Sequence, residues 1–64
     1  MNSPRGPESR SVTVYFRNHP DQSVEAITVE APSPEDAVME ARAIGLDRFA
    51  YPDAWGVTAV VEND

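Results

Sequence analysis

Side chains able to do chemistry are few in this chain of 64 residues: one histidine, eleven acidic residues, scattered serines and a run of three aromatics. A catalytic histidine needs a positioned nucleophile or an orienting acid, and a metal-binding one needs further ligands. His19 lies in Asn18-His19-Pro20-Asp21-Gln22-Ser23, where turn formers account for every neighbour, so it reads as an exposed turn residue. Glu35, Asp36 and Glu40 fall on the wet side of a helix, and Asp36 with Glu40 is a repulsive pair one turn apart. The chain has no D-x-D-x-D-G ladder for calcium, no H-E-x-x-H and no G-x-S-x-G. Gly6, Gly45 and Gly56 stand too far apart to cradle a phosphate. The reading is therefore of a non-enzyme with no catalytic, cofactor-binding or metal-binding residues.

The aromatics are more informative. Phe49, Tyr51 and Trp55 surround Pro52. Large amphipathic rings of this kind anchor interfaces, yet a core poor in leucine also needs their bulk. Phe49 and Trp55 are expected inside and Tyr51 outside. Candidate partner-binding residues are Tyr15, Arg17, Met39, Tyr51 and Trp55, with Glu35, Asp36 and Glu40 as a candidate acidic face.

These residues are positioned by a simple order of elements. Ser11–Arg17 alternates, Val12, Val14 and Phe16 against Thr13, Tyr15 and Arg17, as a half-buried strand does. A hairpin loop over Asn18–Ser23 leads to a second strand, Val24–Ala31, with Ile27, Val29 and Ala31 on one face. Val24 breaks that parity, so a bulge lies near Glu25 or Val24 belongs to the loop. Pro32-Ser33-Pro34-Glu35-Asp36 then starts a helix, with Ser33 as N-cap, Pro34 at the first helical position and carboxylates on the positive end of the dipole. The helix is expected from Pro34 to about Ile44, with Gly45 as a left-handed terminator and Leu46 folding back towards Ala41. Ala37, Val38, Ala41 and Ile44 form its apolar stripe, with Met39 anomalous on the wet side. A loop over Asp47–Trp55 precedes the last strand, Gly56–Glu62, in which Val57, Ala59 and Val61 alternate with Thr58, Val60 and Glu62.

The order β-β-α-β predicts a small two-layer α+β domain: a three-stranded antiparallel sheet of order 2-1-3 with one helix packed on one face. Residues 1–10 read as a flexible tail and 11–64 as the single domain. The uncovered sheet face would show Thr13, Tyr15, Arg17, Thr28, Thr58 and Val60, with Tyr15 packing against Thr28 or Thr58 or lying in a dimer interface. Both outer strands keep open edges.

Length and charge narrow the function further. A chain of this size buries only about 60% of its unfolded surface, which leaves little for a deep pocket. A net charge of -6 argues against direct binding to nucleic acid or an anionic membrane, and the absence of cysteine excludes a disulfide framework or a thiolate metal site. No apolar h-region opens the chain, and no stretch is long enough to span a bilayer, so a cytoplasmic protein is expected. All five basic residues are arginine, which fits a GC-rich bacterial or phage gene. The expectation is a small acidic module that binds and modulates a protein partner, with homodimerisation through a sheet edge or the open face. The alternatives are an acidic decoy of nucleic acid in a partner's basic groove, with Glu30 and Glu62 joining the helix carboxylates, or an accessory subunit of a larger assembly.

Overall fold

The computed structural model describes residues 10–63. The elements are β1 (Arg10–Asn18), β2 (Val24–Ala31), α1 (Pro34–Arg48), a short 3₁₀ turn (Pro52–Ala54) and β3 (Trp55–Glu62). The sheet is antiparallel in the order β2-β1-β3 with the helix on one side, the arrangement expected from the sequence. The tail expected over residues 1–10 lies outside the described residues except for Arg10, which is already in β1.

The β1–β2 ladder runs without interruption from Arg10 opposite Ala31 to Arg17 opposite Val24. There is no bulge near Glu25, and Val24 is in the strand. It faces the same side as its partner Arg17, away from the helix, and is half exposed. The hairpin loop closes through Asn18 N–H donating to Ser23 O at 2.8 Å and Gln22 N–H donating to Asn18 O at 2.7 Å. Closure sets Gln22 at φ +67°, the left-handed region that side chains other than glycine and asparagine avoid.

The helix begins as its sequence dictates: Ser33 Oγ accepts from Asp36 N–H at 3.2 Å, and Pro34 occupies the first turn. Its end differs from the expectation. Gly45 does not terminate α1 but sits inside it, and the helix continues to Arg48, where Phe49 N–H donates to Gly45 O at 2.8 Å. The buried stripe is Ala37, Ala41 and Gly45, spaced four apart. Small Ala37 and Ala41 let the helix approach the sheet closely, and Gly45, one turn on, is buried beneath the Phe49 ring. Ile44, expected in the core, is 38% exposed, and Leu46 points into solvent at 68% instead of folding back.

Val12, Val14, Phe16, Ile27, Val29 and Ala31 meet that stripe, with Val38, Phe49, Trp55 and Val57 packed at the margins. The helix lies mainly over β2 and β1. Strand β3 pairs with β1 but is shifted between Tyr15 and Phe16: Tyr15 opposes Ala59 whereas Phe16 opposes Val57, so Thr58 is the extra residue of a bulge. Cross-strand partners share a face, so Val57 and Val60 lie on the helix side and Ala59 and Val61 on the open side. This corrects the regular alternation expected for the strand, which had placed Val60 on the open face and Ala59 and Val61 against the helix.

Candidate interaction site

Phe49 organises a concave part of the surface. Its ring meets Phe16 edge-on, with centroids 5.6 Å apart and planes at 68°, and lies flat against Trp55 at 4.3 Å and 12°. The ring also fills the hollow over Gly45, where a Cβ atom would come within 2.9 Å of Phe49 Cε2. The three rings therefore join β1, the end of α1 and the start of β3. The Pro52–Ala54 turn returns the chain to the sheet, Ala54 N–H donating to Tyr51 O and Ala54 O accepting from His19 N–H, both at 2.9 Å.

Two hollows flank this wall of rings. The larger, about 440 Å³, is floored by Phe16, Gly45, Phe49 and Trp55 and walled by Met39, Ala43 and Leu46 of the helix and Pro52 of the turn, with Arg42 and Asp53 on its rim. Met39 and Leu46 are each 68% exposed. Met39 was anomalous as a helix residue on the wet side; in the structure it forms part of this apolar wall. The smaller hollow, about 310 Å³, lies on the other side of the rings and is bordered by Asn18, Glu25, Arg48 and Tyr51. Tyr51, at 77%, is the most exposed of the large apolar side chains among the described residues.

Of the candidate partner-binding residues, the fold brings Met39, Tyr51 and Trp55 to one end of the molecule and leaves Tyr15 and Arg17 on the open sheet face. Tyr15 does not pack against Thr28 or Thr58 as its direct neighbours; its cross-strand partners are Ala26 and Ala59, two small residues that leave the ring half-buried between them. Arg17 Nη1 donates to Gln22 Oε1 at 3.3 Å, bracing the hairpin loop. Beyond Tyr15 the open face is stitched by polar groups. The Thr13 and Thr28 hydroxyls share a hydrogen bond at 2.8 Å, and Asn63 Nδ2 donates to Thr13 Oγ1 at 2.9 Å and Ser11 Oγ at 3.1 Å.

The carboxylates do not gather. Glu35, Asp36 and Glu40 are exposed along α1, Glu62 accepts from Arg10 Nη1 at 2.9 Å, and Glu30, opposite Ser11, faces the open side. Asp21 accepts from Ser23 Oγ at 2.7 Å and Ser23 N–H at 2.9 Å, and these bonds, the hydroxyl's first, hold its carboxyl below the usual aspartate value. That is turn chemistry. His19 is exposed, and its Nε2 lies over Gly56, 3.2 Å from where a Cβ would stand. Among the described residues no three His, Cys, Asp or Glu side chains converge as metal ligands, and no helix is long and apolar enough to cross a membrane.

Sequence reasoning missed Leu46, Phe16 and Pro52 as walls of the larger hollow. Phe16 looked like an ordinary core residue, and Leu46 was assigned to a helix terminus that does not exist. An available signal was the spacing of Met39, Ala43 and Leu46, an apolar i, i+4, i+7 series on the side opposite the small-residue stripe.

Comparison with protein-family models, with curated proteins and with solved structures finds no match to this chain.

Proposed function

We propose that this chain is a non-enzymatic interaction module that binds and modulates a protein partner through the cleft between α1 and the Pro52–Ala54 turn. The observation that supports the reading is the pairing of a prebuilt aromatic floor, Phe16–Phe49–Trp55, with an exposed apolar wall of Met39 and Leu46. Exposed apolar side chains grouped over a rigid aromatic base are what a partner's anchor residue requires. The net charge of -6 favours a partner segment whose apolar anchor is flanked by basic side chains. The setting we propose is the cytoplasm of a bacterium or of a phage-infected cell.

An acidic decoy finds less support from the geometry. Its five carboxylates are spread over the helix, the strand end and the opposite sheet face, and Glu62 is already engaged by Arg10. A phosphate mimic needs its charges along one surface at regular spacing.

The test is capture of the partner by tagged wild type, by Met39→Glu/Leu46→Glu and by Glu35→Gln/Asp36→Gln/Glu40→Gln, at low and high salt. The cleft reading expects one stoichiometric partner held at high salt, lost in the Met39/Leu46 variant and kept in the glutamine variant. Capture that survives the cleft substitutions, or that collapses with salt and with the glutamine substitutions, sinks it.

A further inference from the structure

The sheet ends in two edges of different character. Strand β2 carries Glu25 and Glu30 and lies beneath the helix, whereas β3 is apolar from Val57 to Val61 apart from Thr58 and its only carboxylate is Glu62. Val60 and Val61 are 38% and 44% exposed on opposite faces of this strand. Uncharged, uncovered edges are those that pair with another strand.

The hydrogen-bond phase fixes how β3 would do so. Asn63 N–H donates to Ser11 O at 2.9 Å. Because antiparallel ladders alternate, the backbones of Val61 and Ala59 turn towards β1, and those of Val60 and Glu62 turn outward. We propose that β3 pairs antiparallel with β3 of a second copy, about a two-fold axis through Val60.

In that register Val60 lies opposite Val60 of the second copy, Ala59 opposite Val61, and Glu62 meets Thr58. No like charges oppose one another, and each Glu62 remains neutralised by its own Arg10. The same pairing at the β2 edge would gather four carboxylates from two chains that each carry a net charge of -6. Joining at β3 yields a continuous six-stranded sheet and removes the two apolar edges together. The gain matters where, among the described residues, the largest fully buried side chains are Val12 and Val14. This surface is separate from the aromatic cleft, so the proposal does not depend on the partner reading.

Sedimentation equilibrium of the full chain from micromolar to millimolar concentration tests it, with circular dichroism confirming the fold of each variant. Wild type is expected to approach twice the 7.0 kDa chain mass. Val60→Lys sets two ammonium groups against each other on the axis, and Val60→Pro removes an N–H that β1 does not use. Each should weaken association about tenfold or more. Ala26→Lys, which alters the β2 edge and the open face together, should leave it unchanged. A 7.0 kDa mass throughout for wild type overturns the proposal. So does a dimer that survives Val60→Lys, or one that Ala26→Lys dissolves.

Discussion

Gly45 and Phe49 stand one turn apart at the end of α1, and the Phe49 ring occupies the volume that a side chain at Gly45 would need, 2.9 Å from its Cβ position. The helix thus carries its least favourable residue but one in its last turns because an aromatic must lie there. Helix propensity alone favours Gly45→Ala by about 1 kcal/mol. The displaced ring is held by Phe16 and Trp55, and overpacking of this kind costs about 1–3 kcal/mol. Gly45→Ala should therefore destabilise the protein by about 1 kcal/mol and alter the near-ultraviolet circular dichroism of Trp55. In a Phe49→Ala background the sign should reverse, because only the propensity remains; thermal unfolding of the four chains in the cycle measures this.

Gln22 holds φ at +67° while its side chain bonds His19 O at 3.0 Å and accepts from Arg17. A left-handed conformation costs an ordinary residue about 1–2 kcal/mol. Gln22→Gly removes that cost and gives up two exposed hydrogen bonds and some chain stiffness. It should stabilise the domain by about 0.5–1 kcal/mol, a rise in Tm of about 4 °C.

The Asp21 carboxyl is held below its ordinary 3.8 by the Ser23 hydroxyl and amide. A pKa lowered in the folded state stabilises above the unfolded value, and that contribution disappears as pH falls through the folded value. Titration of the Asp21 carboxyl by NMR should give a midpoint below 3.8, moving upward in Ser23→Ala. Hairpin stability should then become less sensitive to acid between the two midpoints.

Ser33→Ala removes the acceptor for Asp36 N–H and should cost about 1 kcal/mol. Ser33→Asp should restore most of it, since a carboxylate also caps and faces the positive helix end. Chemical denaturation of the three proteins resolves the difference.

The hairpin and the start of the helix were legible because local chemistry decides them: alternation in β1, turn formers over Asn18–Ser23, and the Ser33-Pro34 cap; the order 2-1-3 is a non-local choice that the right-handed crossover only allowed. The errors share one physical origin. Glycine favours helix ends, so Gly45 reads as a stop signal in the sequence, but its use is set by Phe49, a contact that exists only after folding. Ile44 was assigned to the core by helical angle alone; with small Ala37 and Ala41 on the sheet, the helix settles on them and Ile44 falls to the margin. Tyr51 was legible as the exposed ring of the loop, but the stacking of Phe49 on Trp55 and its edge contact with Phe16 were not. That Met39 and Leu46 frame a cleft with these rings depends on α1 running through Gly45, so it could not be read from the loop.

The bulge at Thr58 makes β3 two half-strands of opposite phase. Trp55 and Val57 keep step with Phe16 on one side of it, Val60 with Val14 on the other. In genetic terms the strand already contains a one-codon insertion that the sheet has absorbed. Losing that codon would leave a regular ladder, Val57 still opposite Phe16 and Ala59 still opposite Tyr15, so Trp55, Val57 and Val60 would keep their faces. Adding a codon within β1 would be far worse, since β1 must keep phase with two neighbours at once. Length variation among descendants of this chain should therefore accumulate in β3 and the loop before it, while β1 keeps its length.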